Sequence, residues 1–492
     1  MPALRDLIKE PAYAEADTGR PLPDKEHACS VCLPTWDSVI GYEESREKVI
    51  RRLMAGYPRF FLHPATARLF KEANDAMAEP DTKVVLFPSK EVAQRAQRFV
   101  ERRSGSASRI ASYEGLQALV VTKEDYALAM EYWRYTGEIV GSRQAKKILQ
   151  SKESTNFNTV SLRKRVAAYG AYEANDVFLY ENGMAAIFST YRAVTKLNPA
   201  KKTLQLEFPY VDAMRIQNSF GNGVVFLNEA EGESLEEALR RISAGEFAAV
   251  YCEAPSNPLL RTVDIATVSI ACRDGGVPLV VDDTIGSVAN IDVSQYADII
   301  TTSLTKWISG KGDVMAGQVT LNPNSPHYSD FLEFFRKDCP DGSRLYHSDA
   351  RVLARNISGF ESRIKLSNAN GEQLADFLND HPAVEKVWYP KYTTPELYDK
   401  IKRSDGGYGG LVSFILKQRK KSSKFFDKLK VSKGPSLGTE FSLVCPYTLL
   451  AHYDELDWAA GCGVDKDLIR ISCGIEPVGE LVLRFEEAFK AI

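Results

Sequence analysis

Three apolar runs of the sequence end in side chains that can do covalent and acid–base chemistry. The segments EAPSNPLL, VVDDT and SLTKW contain, in chain order, Asn257, Asp282, Asp283, Ser303, Thr305 and Lys306. A fourth segment, ENGMAAI, opens a predicted helix with Gly183 and Met184, and a helix N-terminus binds anions. A lysine for a Schiff base, a carboxylate for a protonated pyridine nitrogen and an anion site are together what pyridoxal 5′-phosphate requires. These residues therefore predict a site for that cofactor.

The elements that position these residues alternate between strand and helix. Apolar runs at 247–254, 277–283, 297–304 and 316–321 predict strands, and segment 263–276 has helical spacing and ends in a Gly pair. This rhythm predicts an α/β fold with a mostly parallel sheet that is covered by helices. Ligands bind such sheets at the carboxyl ends of the strands, which is where the polar residues fall.

The chain divides into four predicted segments. Residues 1–64 form an N-terminal arm, 65–158 a helical insertion, 159–335 the cofactor-binding domain and 336–492 a smaller C-terminal α+β domain. The large domain holds the predicted strands, and the C-terminal domain contains a long predicted helix over roughly 349–380.

The predicted insertion contains two helical patterns, at 90–103 and 124–135. The first has a basic face, which could bind a polyanion and consists of Arg95, Arg98, Arg102 and Arg103. A run of this kind more often forms a solvated helix face, and that is the interpretation we favour.

Composition excludes several classes of protein. The 492 residues carry 62 basic and 65 acidic side chains, a formal net charge of −3, which disfavours a broad nucleic-acid or membrane surface. The N-terminus has no apolar core of signal-peptide length, and no window reaches the ~18 uninterrupted apolar residues that a transmembrane helix needs. The eight cysteines are scattered, and the CxxC pair Cys29 and Cys32 has no second pair or histidine cluster to complete a zinc site. We therefore expect reduced thiols, no metal and a cytoplasmic location.

Several motifs resemble the pyridoxal-phosphate enzymes of cysteine and methionine metabolism, the cystathionine γ-synthase and γ-lyase group. The matching segments are YPR at 57–59, NGMAAI at 182–187, PYVDAMR at 209–215, EAPSNPLL at 253–260, VVDDT at 280–284, SLTKW at 303–307, PSLGTEFSL at 435–443 and IRISCGIE at 469–476. The variants GYPRFF and SLGTEFSLVCPYTLLAHY are most similar to the fungal cystathionine γ-synthase branch and its relatives in specialised metabolism. The resemblance implies a fold type I transferase of the aspartate aminotransferase kind.

The resemblance also implies roles for individual residues at the cofactor. Lys306 would form the Schiff base and move protons, and Tyr210 would stack on the cofactor and assist catalysis. Asp282 would pair with the pyridine nitrogen, with Asp283 as the lesser possibility, because neighbouring strand residues face opposite ways. The remaining cofactor-binding residues would be Gly183, Met184, Asn257, Thr284, Ser303 and Thr305 from the same chain, together with Tyr57 and Arg59.

Tyr57 and Arg59 match a pair that reaches the phosphate in the neighbouring subunit, so the resemblance implies an active site built by a homodimer, within a homotetramer. For the amino-acid substrate, Arg470 would clamp the α-carboxylate, while Ser442 and Arg215 would lie at the substrate end.

The sequence departs from the family pattern at several positions. Val211 and Asp212 follow the stacking tyrosine where relatives carry a Gly pair, and WISGKGD follows the lysine. Phe441 stands where many relatives carry glutamate, with Glu440 one position earlier. These departures leave the cofactor prediction intact but leave the acceptor substrate open.

The implied reaction is γ-replacement on an O-acyl-L-homoserine, with L-cysteine as the default nucleophile. Three alternatives stay open: the same replacement with a carbon or amine nucleophile such as a β-keto acid, elimination by a γ-lyase, and a non-catalytic cofactor-binding regulatory protein. The acyl group of the substrate and the role of 65–158 stay open as well.

Overall fold

The computed structural model describes residues 5–152 and 156–492. Residues 1–4 of the predicted arm and residues 153–155 of the predicted insertion lie outside the described residues. None of the described helices combines the length and the apolar character that crossing a membrane requires.

The cofactor domain is built on a seven-stranded sheet. Its elements are α7 (Thr159–Tyr169), β4 (Val177–Tyr180), α8 (Gly183–Leu197), β5 (Thr203–Leu206), α9 (Val211–Ser219), β6 (Val224–Leu227), α10 (Gly232–Ser243), β7 (Val250–Glu253), α11 (Ile265–Gly275), β8 (Leu279–Asp282), β9 (Ile299–Thr302), β10 (Gly317–Leu321) and α12 (Tyr328–Asp338). The strand order is β4-β10-β9-β8-β7-β5-β6. All pairs are parallel except those of β10 with β4 and β9. The predicted α/β fold and mostly parallel sheet are therefore confirmed.

Helices cover both faces of this sheet because its strands are apolar on both sides. Leu279 and Val281 pack in a cluster with α10 and α11, whereas Val280 packs in a cluster with α8 and α12. Helix α11 lies where its apolar spacing predicts it: the Asp264 side chain caps its N-terminus, and Gly276 ends it at φ +60°.

The segment 65–158, predicted to be helical, also contains a sheet, which corrects that prediction. Its elements are α3 (Pro64–Met77), β1 (Thr82–Phe87), α4 (Lys90–Ser104), β2 (Arg109–Tyr113), β3 (Leu116–Thr122), α5 (Tyr126–Thr136) and α6 (Ser142–Leu149). The three strands form an antiparallel sheet in the order β1-β3-β2. Runs such as TKVVLF and LQALVVT are short, apolar and β-branched, which favours strands over helices.

This segment shares a hydrophobic core with the cofactor domain. Phe99 of α4 stacks on Phe220 with ring centroids 4.7 Å apart, and Tyr132 of α5 meets Phe188 of α8 edge to face at 6.0 Å. One continuous cluster of buried residues joins β1, β3, α4, α5 and α8. Two of the four arginines on the basic face of α4 form ion pairs, Arg95 with buried Glu138 and Arg103 with Glu131.

The C-terminal part packs helices on a second sheet. Its elements are α13 (His347–Asn356), α14 (Phe360–Asp380), β11 (Val384–Trp388), α15 (Pro390–Thr393), α16 (Pro395–Ile401), β12 (Leu411–Leu416), α17 (Ser422–Lys428), β13 (Ser432–Lys433), β14 (Leu443–Pro446), α18 (Tyr447–Ala451), α19 (Leu456–Gly461), β15 (Ile469–Ser472) and α20 (Val478–Lys490). The five strands are ordered β11-β12-β15-β14-β13, and only β13 and β14 pair in parallel. The single long helix predicted over 349–380 is two helices, because Gly359 adopts φ +77° between them.

The N-terminal arm includes α1 (Trp36–Glu43) and α2 (Glu47–Ile50). It packs against the C-terminal part of the same chain. The Leu33 amide donates to the Lys433 carbonyl, and Val31 and Val39 join the core of the C-terminal sheet. We keep the boundaries at 64, 158 and 335 as a proposal for the organisation of the chain.

Candidate active site

Lys306 follows β9 and contacts residues from distant parts of the chain. Its Nζ donates to the hydroxyl of Ser436 at 3.2 Å and lies 4.7 Å from the ring centroid of Tyr57. Burial, followed by the positive charge of Arg470, lowers the pKa of the Lys306 amine from 10.5 to about 7. Near neutral pH a large share of this amine is therefore unprotonated, which is the form that attacks a carbonyl carbon.

Asp282 and Asp283 lie on opposite faces of the sheet, as alternation along a strand predicts. Asp282 accepts hydrogen bonds from the amide of Thr284 at 2.9 Å and the hydroxyl of Thr301 at 3.2 Å. Asp283 instead accepts from the hydroxyl of Thr302. Burial raises the pKa of both carboxyls, and that of Asp283 reaches about 7.

Glu253 is a residue of this site that the sequence interpretation missed. It ends β7 and pairs in register with Asp282 on β8, which in turn pairs with Thr301 on β9. Its carboxylate accepts from the amides of Tyr210 at 2.6 Å and Asn257 at 3.0 Å. Burial, and then the charge of Asp282, raise the pKa of Glu253 to about 8. In the sequence, Glu253 is the first residue of the segment EAPSNPLL, and its position at a strand end was the signal that could have identified it.

Tyr210, Arg59 and Asp212 form a buried polar triangle. Arg59 Nη2 donates to the Tyr210 hydroxyl at 2.6 Å and to Asp212 Oδ2 at 2.8 Å, and the Tyr210 hydroxyl donates to the same Asp212 oxygen at 3.1 Å. The side chains of Arg59 and Asp212 are only 1% and 3% exposed. Desolvation raises the pKa of Tyr210 well above its usual value, so its hydroxyl stays protonated.

Tyr57 and Arg59 contact the Lys306 site within the chain that the structure describes. The arm packs along this chain and leads Arg59 to Asp212. The role of this pair at the site of a neighbouring subunit stays a prediction.

An anion cradle lies beside Lys306. Gly183 and Met184 open α8, and the first amides of a helix have no acceptor within it. Asn182 caps the helix by accepting from the Ala185 amide at 3.0 Å. A Cβ atom at Gly183 would lie 2.9 Å from Cβ of Ser303, so only glycine leaves this surface open.

The neighbouring hydroxyls hold the loops of this cradle in place. Thr284 Oγ1 accepts from the Ser303 amide at 2.7 Å. Thr305 Oγ1 accepts from the Ala316 amide at 3.0 Å and donates to the Ala316 carbonyl. The Ser303 carbonyl accepts from the Lys306 amide at 3.2 Å, which couples the cradle to the lysine.

Arg470 presents a fixed guanidinium on the C-terminal side of the site. It lies in β15 and is buried. Nη1 donates to Asn257 Oδ1 at 2.9 Å, Nη2 donates to the Pro435 carbonyl at 3.0 Å, and the guanidinium carbon lies 4.7 Å from the ring centroid of Tyr447. A guanidinium held on three sides is preorganised to bind a carboxylate.

Two predicted substrate residues lie further from these contacts. The Ser442 hydroxyl donates to Glu476 at 2.8 Å and accepts from the Gly474 amide at 2.9 Å. Arg215 donates to the Tyr135 hydroxyl at 2.8 Å and lies 3.5 Å from Glu455. Roles for both at the substrate stay predictions. Ser436, in place of Ser442, is the serine that contacts Lys306. In the sequence it is the first residue of the SLG triplet, which lies in the same motif, PSLGTEFSL, as Ser442.

A cavity of about 790 Å³ opens between the arm, segment 65–158 and the cofactor domain. Its lining includes Cys29, Pro58, Arg95 and Arg344, but not Lys306. We place the chemistry at Lys306 because the amine, carboxylates, anion cradle and guanidinium converge there and not in the cavity.

This donor set fits pyridoxal 5′-phosphate. Lys306 offers the amine, Asp282 the carboxylate, the α8 N-terminus the phosphate site and Tyr210 the aromatic ring. The fold and the site together define a pyridoxal-phosphate enzyme with an α/β architecture.

The chain belongs to the Cys/Met metabolism PLP-dependent enzyme family, which matches residues 135–490. Residues 65–141 match the fungal trans-sulfuration enzyme N-terminal domain. The chain is 30% identical to cystathionine γ-synthase from Neurospora crassa, with 96% of this chain and 98% of the relative covered. It is 32% identical to the cystathionine γ-synthase-like protein ankD from Aspergillus thermomutatus, over 96% of this chain and 94% of that protein.

The fold is also that of a solved structure, the cystathionine γ-synthase of Xanthomonas oryzae pv. oryzae in complex with aminoacrylate and cysteine. The TM-score is 0.59 at 24% identity, with 68% of this chain and 87% of that chain covered. The predicted family resemblance and fold type are thereby confirmed.

Proposed function

We propose that the chain catalyses γ-replacement on an O-acyl-L-homoserine, with L-cysteine as the default nucleophile and cystathionine as the product. The observation that carries this proposal is the convergence of the Lys306 amine, whose pKa is lowered to about 7, with the fixed guanidinium of Arg470. Similarity to cystathionine γ-synthases along nearly the whole chain supports the same reaction class.

The residues divide the work of this reaction. When bound, pyridoxal phosphate supplies an electron sink that stabilises negative charge at the substrate Cα. Arg470 binds the α-carboxylate, and because Asn257 and Pro435 hold the guanidinium, it fixes the direction of the Cα–H bond. Asp282 holds the pyridine end, and Gly183, Met184 and Ser303 hold the phosphate end.

Lys306 is the proton carrier. With the cofactor bound, the neutral Nζ would take the proton from Cα, pass it on to the cofactor and, neutral again, take one from Cβ, after which the acyloxy group leaves Cγ as a carboxylate. The thiol sulfur then bonds to Cγ and loses its proton, and Lys306 returns protons to Cβ and Cα. A base with a pKa near 7 both accepts and donates protons efficiently at neutral pH, and Ser436 orients it through the contact with Nζ.

A second candidate is the same replacement with a carbon or amine nucleophile. The departures from the family pattern at Phe441 and Glu440 leave this candidate open, and Glu440 forms an ion pair with Lys311 beside the SLG triplet. Elimination without an acceptor, the γ-lyase reaction, is the third outcome.

The eight cysteines are all free thiols, which supports a reducing, cytoplasmic location.

The test is incubation with O-acetyl-L-homoserine, first alone and then with L-cysteine, sulfide or a β-keto acid, followed by mass analysis. We expect cystathionine with L-cysteine, and the K306A variant to form none. Formation of 2-oxobutanoate at full rate without an acceptor would instead identify a γ-lyase. A product only with β-keto acids would identify the second candidate, and failure to bind the cofactor or turn over any substrate would refute the enzyme assignment.

A further inference from the structure

The carboxylate of Glu253 joins two loops of the candidate active site. Its Oε1 accepts from the Tyr210 amide at 2.6 Å, and its Oε2 accepts from the Asn257 amide at 3.0 Å. Tyr210 lies in the loop after β5, whereas Asn257 lies in the loop after β7, the strand that Glu253 ends. One side chain therefore sets the distance between the tyrosine expected at the cofactor ring and the asparagine that meets Arg470.

Asn257 carries this connection to the guanidinium of Arg470. Its Oδ1 accepts from Arg470 Nη1 at 2.9 Å, and its Nδ2 donates to the Tyr447 hydroxyl at 3.4 Å. The Tyr447 ring in turn has its centroid 4.7 Å from the guanidinium carbon. The three side chains form a closed triangle, so the direction of the guanidinium depends on where Asn257 lies.

The two contacts of Glu253 require a carboxylate. Both partners are N–H donors, and an ionised carboxylate offers an acceptor oxygen to each of them, whereas a glutamine offers one oxygen and turns its NH2 group toward the other donor. Within the described part of the chain Glu253 forms no ion pair, and it is only 8% exposed. A buried carboxylate without a counter-ion lowers the stability of a fold, and such a cost is typical of residues that serve a functional site.

From these contacts we propose that Glu253 is a positioning residue of the active site: it fixes Tyr210 and Asn257 relative to each other and, through Asn257, sets the direction of the Arg470 guanidinium. This inference rests on the proposed role of Arg470 at the α-carboxylate of the substrate. It has a consequence for specificity, because Glu253 then helps the site to prefer ligands that carry an α-carboxylate over amines that lack one.

Two ligands that differ only in the carboxylate test this inference. L-norvaline has no leaving group at Cγ, and n-butylamine is the same molecule without the α-carboxylate. Each is titrated into the holoenzyme, and the change in visible absorbance of the bound pyridoxal phosphate gives its dissociation constant. In Glu253→Gln we expect the dissociation constant of L-norvaline to rise about ten-fold more than that of n-butylamine, because a buried amide loses its acceptor and Asn257 shifts. Equal rises for the two ligands would overturn the inference.

A double-variant cycle tests the route through Asn257. Asn257→Ala removes the side chain that meets Arg470, so adding Glu253→Gln to it should change the ratio of the two dissociation constants by less than about two-fold. A further change of about ten-fold would contradict this route. Visible circular dichroism of the bound cofactor reports on the Tyr210 side. Its band should weaken in Glu253→Gln, and an unchanged band would contradict the part of the inference that concerns Tyr210.

Asp298→Asn is the matched control. Asp298 also accepts from a backbone amide, that of Leu279 at 2.7 Å, but it directly precedes β9 and so lies at the opposite end of the strands from the site. It should lower the melting temperature and leave the ratio of the dissociation constants unchanged. A ratio that changes equally in both variants would show a general loss of stability and overturn the inference. If Glu253→Gln does not fold, Glu253→Asp, which keeps both oxygens but has a shorter reach, gives the same comparison.

The positioning role and the proposed reaction fail separately. A chain in which Glu253→Gln changes the ligand ratio as expected, but whose wild type forms no γ-replacement product, would refute the proposed function and keep the positioning role. Formation of cystathionine by the wild type together with an unchanged ratio in Glu253→Gln would refute the positioning role alone.

Discussion

At the scale of single residues, the environment of Lys306 predicts a pH dependence. Its folded-state pKa of about 7 lies below the ordinary 10.5, so the reactive neutral amine appears as pH rises through 7. We expect the initial rate at which the apoprotein captures pyridoxal phosphate to rise about ten-fold between pH 6 and 8 and then level off. Stopped-flow absorbance measures this rate, and K306A is the control that captures none. A steady rise of about a hundred-fold over the same interval would show an ordinary lysine pKa.

Asp212 predicts a stability effect at the same scale. Asp212→Asn leaves the buried guanidinium of Arg59 without its counter-ion, so the free energy of unfolding of the apoprotein should fall by about 3 kcal/mol or more. Urea titration measures this change. Glu333→Gln breaks a solvent-exposed ion pair with Lys337 and should leave the free energy of unfolding nearly unchanged. Equal losses for the two variants would contradict a buried role for Asp212.

At the scale of secondary-structure elements, the N-terminus of α8 is shaped by its first glycine. In Gly183→Ala the new Cβ would press on Ser303, whose carbonyl accepts from the Lys306 amide. We expect the affinity for pyridoxal phosphate to fall by about ten-fold or more, or ~1.4 kcal/mol, with the fold retained. Equilibrium dialysis measures the affinity. Gly479→Ala in α20 meets no atom within 4 Å and serves as the matched control.

The elements also show what the sequence could and could not predict. Strand-end residues such as Asp282, Asn257 and Lys306 were predictable, because parallel strands bring their carboxyl ends to one edge. The roles of Glu253 and Ser436 depend on which hydroxyls and amides meet them, and those partners come from other elements. The sheet in 65–158 was missed because short apolar runs between helices are ambiguous without their neighbours.

The route of the arm was also beyond sequence reasoning. Whether Arg59 meets its own chain or a neighbour depends on contacts such as Lys25 with Asp313, which join residues hundreds of positions apart. The YPR motif alone shows only that Arg59 lies two positions after Tyr57. The unusual residue was nevertheless visible, because Asp212, two positions after Tyr210, departs from the pattern that the resemblance implies.

At the scale of the whole molecule, the shared core predicts that 65–158 and the cofactor domain unfold together. Phe99 is 2% exposed, and its ring stacks on Phe220. Phe99→Ala should lower the free energy of unfolding by about 3–5 kcal/mol, because it opens a cavity between the two parts. Thermal unfolding followed by tryptophan fluorescence should still show one transition, at a lower temperature, because the two parts share one core. Trp133 in α5 reports on 65–158, and Trp307 beside Lys306 reports on the cofactor domain.

Ile270→Ala provides the comparison for this prediction, because the side chain lies on α11 and is 60% exposed. It should change the free energy of unfolding by no more than about 0.5 kcal/mol. Two separate transitions in Phe99→Ala, with loss of bound pyridoxal phosphate only in the second, would show that 65–158 is an independent module. A single transition that releases the cofactor instead ties the segment to the site, since α5 carries the carbonyl that holds Arg59.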